Sequence, residues 1–251
     1  MKISEDLSGS DDRAWVDAGF RTTFDRLSEQ GYSAVLAGSH QQDAPPAGGG
    51  RWGLSAVVAL DDHTEQQLAG WAEEIRLLAG DRHWPTGAHG SAHVTVRAIQ
   101  PHRPGLDGHD PFAARCVRAI TRAAGSLDHP VVFRLRGLAL SPAGVMACLC
   151  PVDATAGALA AAVRRELGAD GWLEESYSRT IWYSSVLHFT TSIDDPHALV
   201  RWVQARRDVN AGDALATCLQ LATFRHDRAR MVPVILGQAR LPDSRVAAGR
   251  T

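Results

Sequence analysis

Two short stretches carry residue types able to move protons: His93-Val94-Thr95-Val96 and His188-Phe189-Thr190-Thr191. An imidazole, with an ordinary pKa of about 6.5, gives or takes a proton near neutrality. A threonine hydroxyl beside it can donate a hydrogen bond where negative charge develops. Each stretch lies in a run that reads as a β-strand, Ala92 to Ile99 and Thr180 to Ile193. Side chains alternate along a strand, so His93 and Thr95 share a face, as do His188 and Thr190. Two such strands brought together would gather two imidazoles and two hydroxyls around one pocket. A single match to so loose a pattern is no surprise among eleven histidines, and His89-Gly90-Ser91 shows one arising in a Gly-containing loop. Two strand-borne matches are rarer.

The elements that must position these strands recur in order. In the first half, Trp52 to Leu60 reads as a strand and Asp62 as the cap of a helix with Leu68, Trp71, Ala72, Ile75 and Leu78 on its apolar stripe. Gly80 stops that helix, and the loop Asp81 to Gly90 leads into the first motif. Asp110-Pro111 then opens a helix, followed by strands Val131 to Leu140 and Val145 to Cys150 around the turn Ser141-Pro142-Ala143-Gly144. In the second half, Asp153 caps a helix that Gly168 stops, and the loop Ala169 to Arg179 leads into the second motif. Asp195-Pro196 opens another helix, and strands Ala214 to Phe224 and Met231 to Ala239 end the series. The helix cap precedes its histidine by 31 residues in one half and 35 in the other. Two similar α+β halves follow, roughly 51–142 and 143–241, with exchange of strands between them left open. Residues 1–50 read as an extension, with one helix from Asp11 to Gln30 ended by Gly31 and a Pro/Gly-containing linker from Gln41 to Gly50. Residues 242–251 read as a polar tail.

Composition narrows the class. At 251 residues, 45% hydrophobic and 22% charged, the chain matches an ordinary globular protein. A net charge of −2 argues against a broad binder of phosphate backbones. No apolar run is long enough for a membrane span and Met1 to Asp12 lacks a signal-peptide core, so a cytoplasmic protein with no membrane association is expected. The four cysteines show no zinc spacing and read as reduced thiols. His83, His89 and His93 have suggestive spacing, but no carboxylate or cysteine completes a metal site, so none is expected.

The paired motifs, their strand setting and the repeat order resemble the 2H phosphoesterase superfamily, which includes 2′,5′ RNA ligase-like proteins and cyclic nucleotide phosphodiesterases. The resemblance covers about Arg51 to Leu241. It implies two lobes related by a pseudo-twofold, each an antiparallel sheet with helices on its outer face, and a central cleft carrying both motifs. It also implies chemistry without a metal or other cofactor. Thr191 departs from the pattern, standing where an apolar residue is usual, and the histidines lie 95 residues apart, which is long for simple members.

The implied reaction suits the residues. Opening a cyclic phosphodiester needs a base to deprotonate water and an acid to protonate the departing sugar oxygen, on opposite sides of phosphorus. His188 is assigned the base and His93 the acid, an assignment that the sequence alone does not fix. Thr95 and Thr190 would serve the non-bridging oxygens. Arg97 shares the parity of His93 and is a candidate phosphate contact, with a solvated strand-end arginine as the alternative. Ser192 and Trp182 share the parity of His188; Trp182 is a candidate for stacking a base, although a core tryptophan is the better reading. Trp84 and Tyr177, in the matching loops before the motif strands, are candidates to sandwich a base. The expected partner is a nucleotide or RNA end bearing a cyclic phosphate, with no obligate protein partner. RNA end processing or 2′–5′ ligation is the enzymatic alternative, and a nucleotide-binding module without turnover is the alternative from another class.

Overall fold

Seven strands and five α-helices account for most of residues 18–46, 51–176, 179, 181–228 and 230–243, which the computed structural model describes. In chain order they are α1 (Ala18–Leu36), β1 (Leu54–Leu60), α2 (Asp62–Ala79), β2 (His93–Gln100), α3 (Pro111–Gly125), β3 (Val132–Ser141) and β4 (Gly144–Pro151). There follow α4 (Thr155–Leu167), β5 (Trp182–His188), α5 (Pro196–Gln204), β6 (Asp213–His226) and β7 (Met231–Arg240). A 3-10 helix, Gly168–Glu174, continues from α4 where a plain loop was expected. The α+β class read from the sequence is the class observed.

All strand pairs are antiparallel, in the order β2-β1-β6-β3-β4-β5 with β7 also on β6. The 14-residue β6 joins the two parts of the sheet. One of its edges pairs with β1; the other takes β3 at Asp213 to Leu215 and β7 from Cys218 onward. The sheet curls until its outer strands β2 and β5 face each other, with the loop after α2 seated beside β5. Trp84 exchanges backbone hydrogen bonds with His188 (3.0 and 2.9 Å), and the amide of Gly87 donates to Val186 (2.9 Å).

Helices α2 to α5 cover the outer face. Alternate strand residues such as Ala56 and Val58, Val94, Leu135, Ala147 and Leu149 meet Leu68, Ile75, Ile120, Leu159, Val163 and Leu199 in one continuous core. Two Asp-Pro pairs start their helices as read, with Asp110 and Asp195 accepting from backbone amides of the first turn. The cap of α2 is Asp61 rather than Asp62: its carboxylate accepts from the amide of Thr64 and also from Leu215 in β6. Glu65, in the first turn of α2, accepts from the amide of Gly90 (3.0 Å).

Helix α1 lies on the inner face of β3 and β4, where Phe24 packs on Ala139, Met146 and Cys148. Gly31 does not end it. A Cβ at that position would collide with the Leu140 carbonyl oxygen, so glycine here allows the helix to approach β3 and continue to Leu36. The part of the expected helix before residue 18 lies outside the described residues.

Candidate active site

Both histidines open onto the inner face of the curled sheet. His93 is the first residue of β2 and His188 the last of β5. Along β2, His93 and Thr95 face inward, and then Val96 forms a one-residue bulge: Val57 pairs with Thr95 but Ala56 with Arg97. The bulge reverses the alternation, sending Arg97 to the outer side and Ala98 and Gln100 inward. A matching bulge interrupts β5 at Val186, since Val145 pairs with Leu187 but Met146 with Ser185. Tyr183 and Ser185 therefore share the face of His188, and Trp182 and Ser184 do not.

The inner face holds two adjoining pockets of about 210 and 280 Å³. His93 and Thr95 line the first; Arg51, Arg179, Tyr183, Ser185 and His188 line both. A chain of ring contacts joins the two imidazoles. Trp52 meets His188 edge-on at 4.8 Å and Phe224 at 5.6 Å, and Phe224 lies 5.2 Å from the ring of His93. Trp52 takes a positive φ of 65°, a conformation costing a non-glycine residue on the order of 1 kcal/mol, held here by its packing.

Each imidazole is fixed through Nδ1. That of His93 lies 2.8 Å from the Ser91 carbonyl oxygen, which can only accept, so Nδ1 carries the proton and Nε2 the lone pair. That of His188 lies 2.7 Å from a carboxylate oxygen of Asp43. The other oxygen of Asp43 accepts from Arg51 at 2.7 Å. Burial pushes the pKa of both imidazoles below the ordinary histidine value. For His93 the Ser91 carbonyl opposes this shift and His188 adds to it. For His188 the Asp43 carboxylate opposes it and the Arg51 guanidinium adds to it.

Several expected contacts are not made. β4 begins at Gly144, opposite His188, so the β5 ladder ends there and the alternation ends with it. Thr190 consequently turns away, its hydroxyl donating to the Arg82 carbonyl (2.6 Å) and its amide to Nδ1 of His83 (3.1 Å). Ser192 is exposed beyond the strand and lines neither pocket. Arg97 is buried on the outer side of β2, donating to the Gly171 carbonyl at 2.6 Å. Trp182 is buried against Phe133, 5.6 Å between ring centroids. Both border a larger depression, about 990 Å³, between α4 and the 3-10 helix, which contains neither imidazole. Trp84 is 4% exposed within a cluster of Val57, Ala222, Phe224 and Met231, leaving no open face on which to stack a base. Tyr177 lies outside the described residues.

In their place the fold brings Asp43, Arg51, Trp52, Tyr183, Ser185 and Phe224 to the histidines. Asp43, Arg51 and Trp52 come from the stretch around the expected linker, whose composition signals only irregular backbone. Among the described residues no three His, Cys, Asp or Glu side chains cluster as metal ligands, and no helix is long and apolar enough to cross a membrane.

No family model and no curated protein matches the chain. Solved structures do share its fold. TT0787 of Thermus thermophilus aligns over 76% of this chain and 98% of its own, at 17% identity and a TM-score of 0.53. LigT of Escherichia coli, solved with 3′-AMP, aligns over 76% of this chain and 99% of its own, at 13% identity and a TM-score of 0.50.

Proposed function

We propose that this chain is a 2H phosphoesterase that opens a 2′,3′-cyclic phosphate, or a related cyclic nucleotide phosphate, to a phosphomonoester without a metal. The observation that carries this reading is the pair of imidazoles on one groove, each with Nδ1 engaged and Nε2 left to act. Nε2 of His188 takes a proton from water as the water oxygen bonds to phosphorus. Nε2 of His93, protonated, gives its proton to the sugar oxygen as the P–O bond breaks. Arg51 and the Thr95 hydroxyl face the same groove, where the non-bridging oxygens gain charge. A fold shared with LigT, a protein solved with a nucleotide bound, supports a nucleotide substrate.

Incubation with 2′,3′-cyclic nucleotides in EDTA, followed by separation of products, tests the proposal. Turnover should survive EDTA, and His93→Ala and His188→Ala should each lose roughly 10²- to 10⁴-fold, the usual worth of a general acid or base. Wild-type rates in both variants would refute it, and binding without product would favour a nucleotide-binding module.

A further inference from the structure

Asp43 approaches His188 in a way that the two motifs do not explain. We infer that Asp43 is the positioning residue for His188, and that residues 39–46 are built into the active site; the inference rests on the phosphodiesterase reading. Asp43 and His188 are both deeply buried, with side chains 10% and 9% exposed, and their contact measures 2.7 Å. The segment is held against the second motif itself. The amide of Asp43 donates to the carbonyl of Phe189 (2.7 Å), and His40 Nε2 lies 2.8 Å from the Thr191 carbonyl oxygen, so that it donates there. The His40 ring also stands edge-on to Phe189 at 5.3 Å, and the amide of Gln41 donates to Pro142 (2.8 Å). Arg51 occupies the second oxygen of Asp43, which fixes the carboxylate from its other side.

The chemical consequence is specific to one imidazole. A carboxylate beside Nδ1 accepts its proton in a hydrogen bond, which assigns the lone pair to Nε2 and fixes the ring plane. When Nε2 removes a proton from water, the imidazolium formed lies against a negative charge. The same event at His93 would place an imidazolium beside a neutral carbonyl. The two histidines are therefore unequal, and His188 is the one built to gain a proton during the reaction. That proton stays on His188, the proton of His93 leaves on the sugar oxygen, and exchange with solvent resets both. The charged and titratable groups facing His188 or lining its groove are Asp43, Arg51, His93, Arg179 and Tyr183.

The test uses full-length protein with isotope-labelled histidine, followed by NMR titration, beside kinetics on 2′,3′-cyclic AMP across pH. In the wild type His188 should carry its proton on Nδ1. Asp43→Asn should lower the pKa of His188 and cut kcat by roughly 10- to 100-fold, in line with the loss of a partner that orients a functional imidazole. KM should change far less, and Asp43→Glu should recover part of both effects. An Nε2–H tautomer in the wild type, or a His188 titration unmoved by Asp43→Asn, would overturn the inference. The tautomer is read without any substitution, so a variant that fails to fold does not block the test. The titration also needs no substrate. Wild-type turnover in His93→Ala and His188→Ala would sink the phosphodiesterase reading and leave the Asp43–His188 result standing by itself.

Discussion

Replacing Arg97 with Met separates the observed bulge from the simple alternation of a strand. In the structure the guanidinium lies on the outer side of β2, donates to Gly171, and leaves Nε buried without a partner. Losing a charged hydrogen bond costs about 1.5–3 kcal/mol, and removing a buried unsatisfied donor returns on the order of 1 kcal/mol. The net is a destabilisation of about 0.5–2 kcal/mol, which in a chain of this size lowers Tm by roughly 1–8 °C. The methionine stem keeps most of the packing, and the groove is untouched, so kcat/KM on 2′,3′-cyclic nucleotides should stay within about threefold. Strict alternation would instead direct Arg97 toward the phosphate. Its loss would then raise KM about tenfold or more, since a charged hydrogen bond of about 1.5 kcal/mol corresponds to a tenfold change in affinity. Thermal melts and Michaelis–Menten kinetics on one preparation decide between them. A tenfold rise in KM with Tm unchanged would refute the placement of Arg97. Arg51→Met should show the reverse pattern, with KM raised and Tm little changed.

Three further outcomes follow from the structure. Burial holds His93 and His188 below the ordinary histidine pKa, while the base must be neutral and the acid protonated in the free enzyme, so kcat/KM should peak on the acid side of about pH 6.5; a maximum above about pH 7.5 would contradict the pairing. The same shifts, with that of His83, make the unfolded chain the tighter proton binder, so their stabilising contribution is complete above about pH 6.5 and is lost as pH falls, which melts between pH 7 and 5 should show as a declining Tm. Gly31→Ala gains up to about 1 kcal/mol of helix propensity but forces α1 off the Leu140 carbonyl at about 1–3 kcal/mol, so Tm should fall, and a rise would show that the close approach is not needed.

Much of the scaffold was legible because its signals are local. The Asp-Pro pairs at 110 and 195 mark helix starts by chemistry that acts within one turn, and the turn at Ser141 to Gly144 places two strands correctly. The bulges at Val96 and Val186 were not legible. Both are single valines within strand-like stretches, and their irregularity exists only in relation to the partner strand. This is why Arg97 and Trp182 were read onto the wrong face, whereas Thr95, before its bulge, kept the expected one. Thr190 was misread because the end of β5 is set by where β4 begins, a fact about another part of the chain. Asp43 was hidden by distance: it lies 145 residues from His188, in a stretch whose prolines and glycines resemble those of any connector.

The continuity of β6 has a consequence for how a substrate gains access. One unbroken strand pairs with β3 at its start and with β1 and β7 thereafter, so a hinge between the two parts of the sheet would have to break backbone ladders inside a single strand. Clam-like opening is thus opposed by the framework that fixes the spacing of the imidazoles. Movement of a rim piece such as the 3-10 helix carrying Leu173, by contrast, would leave the ladders intact.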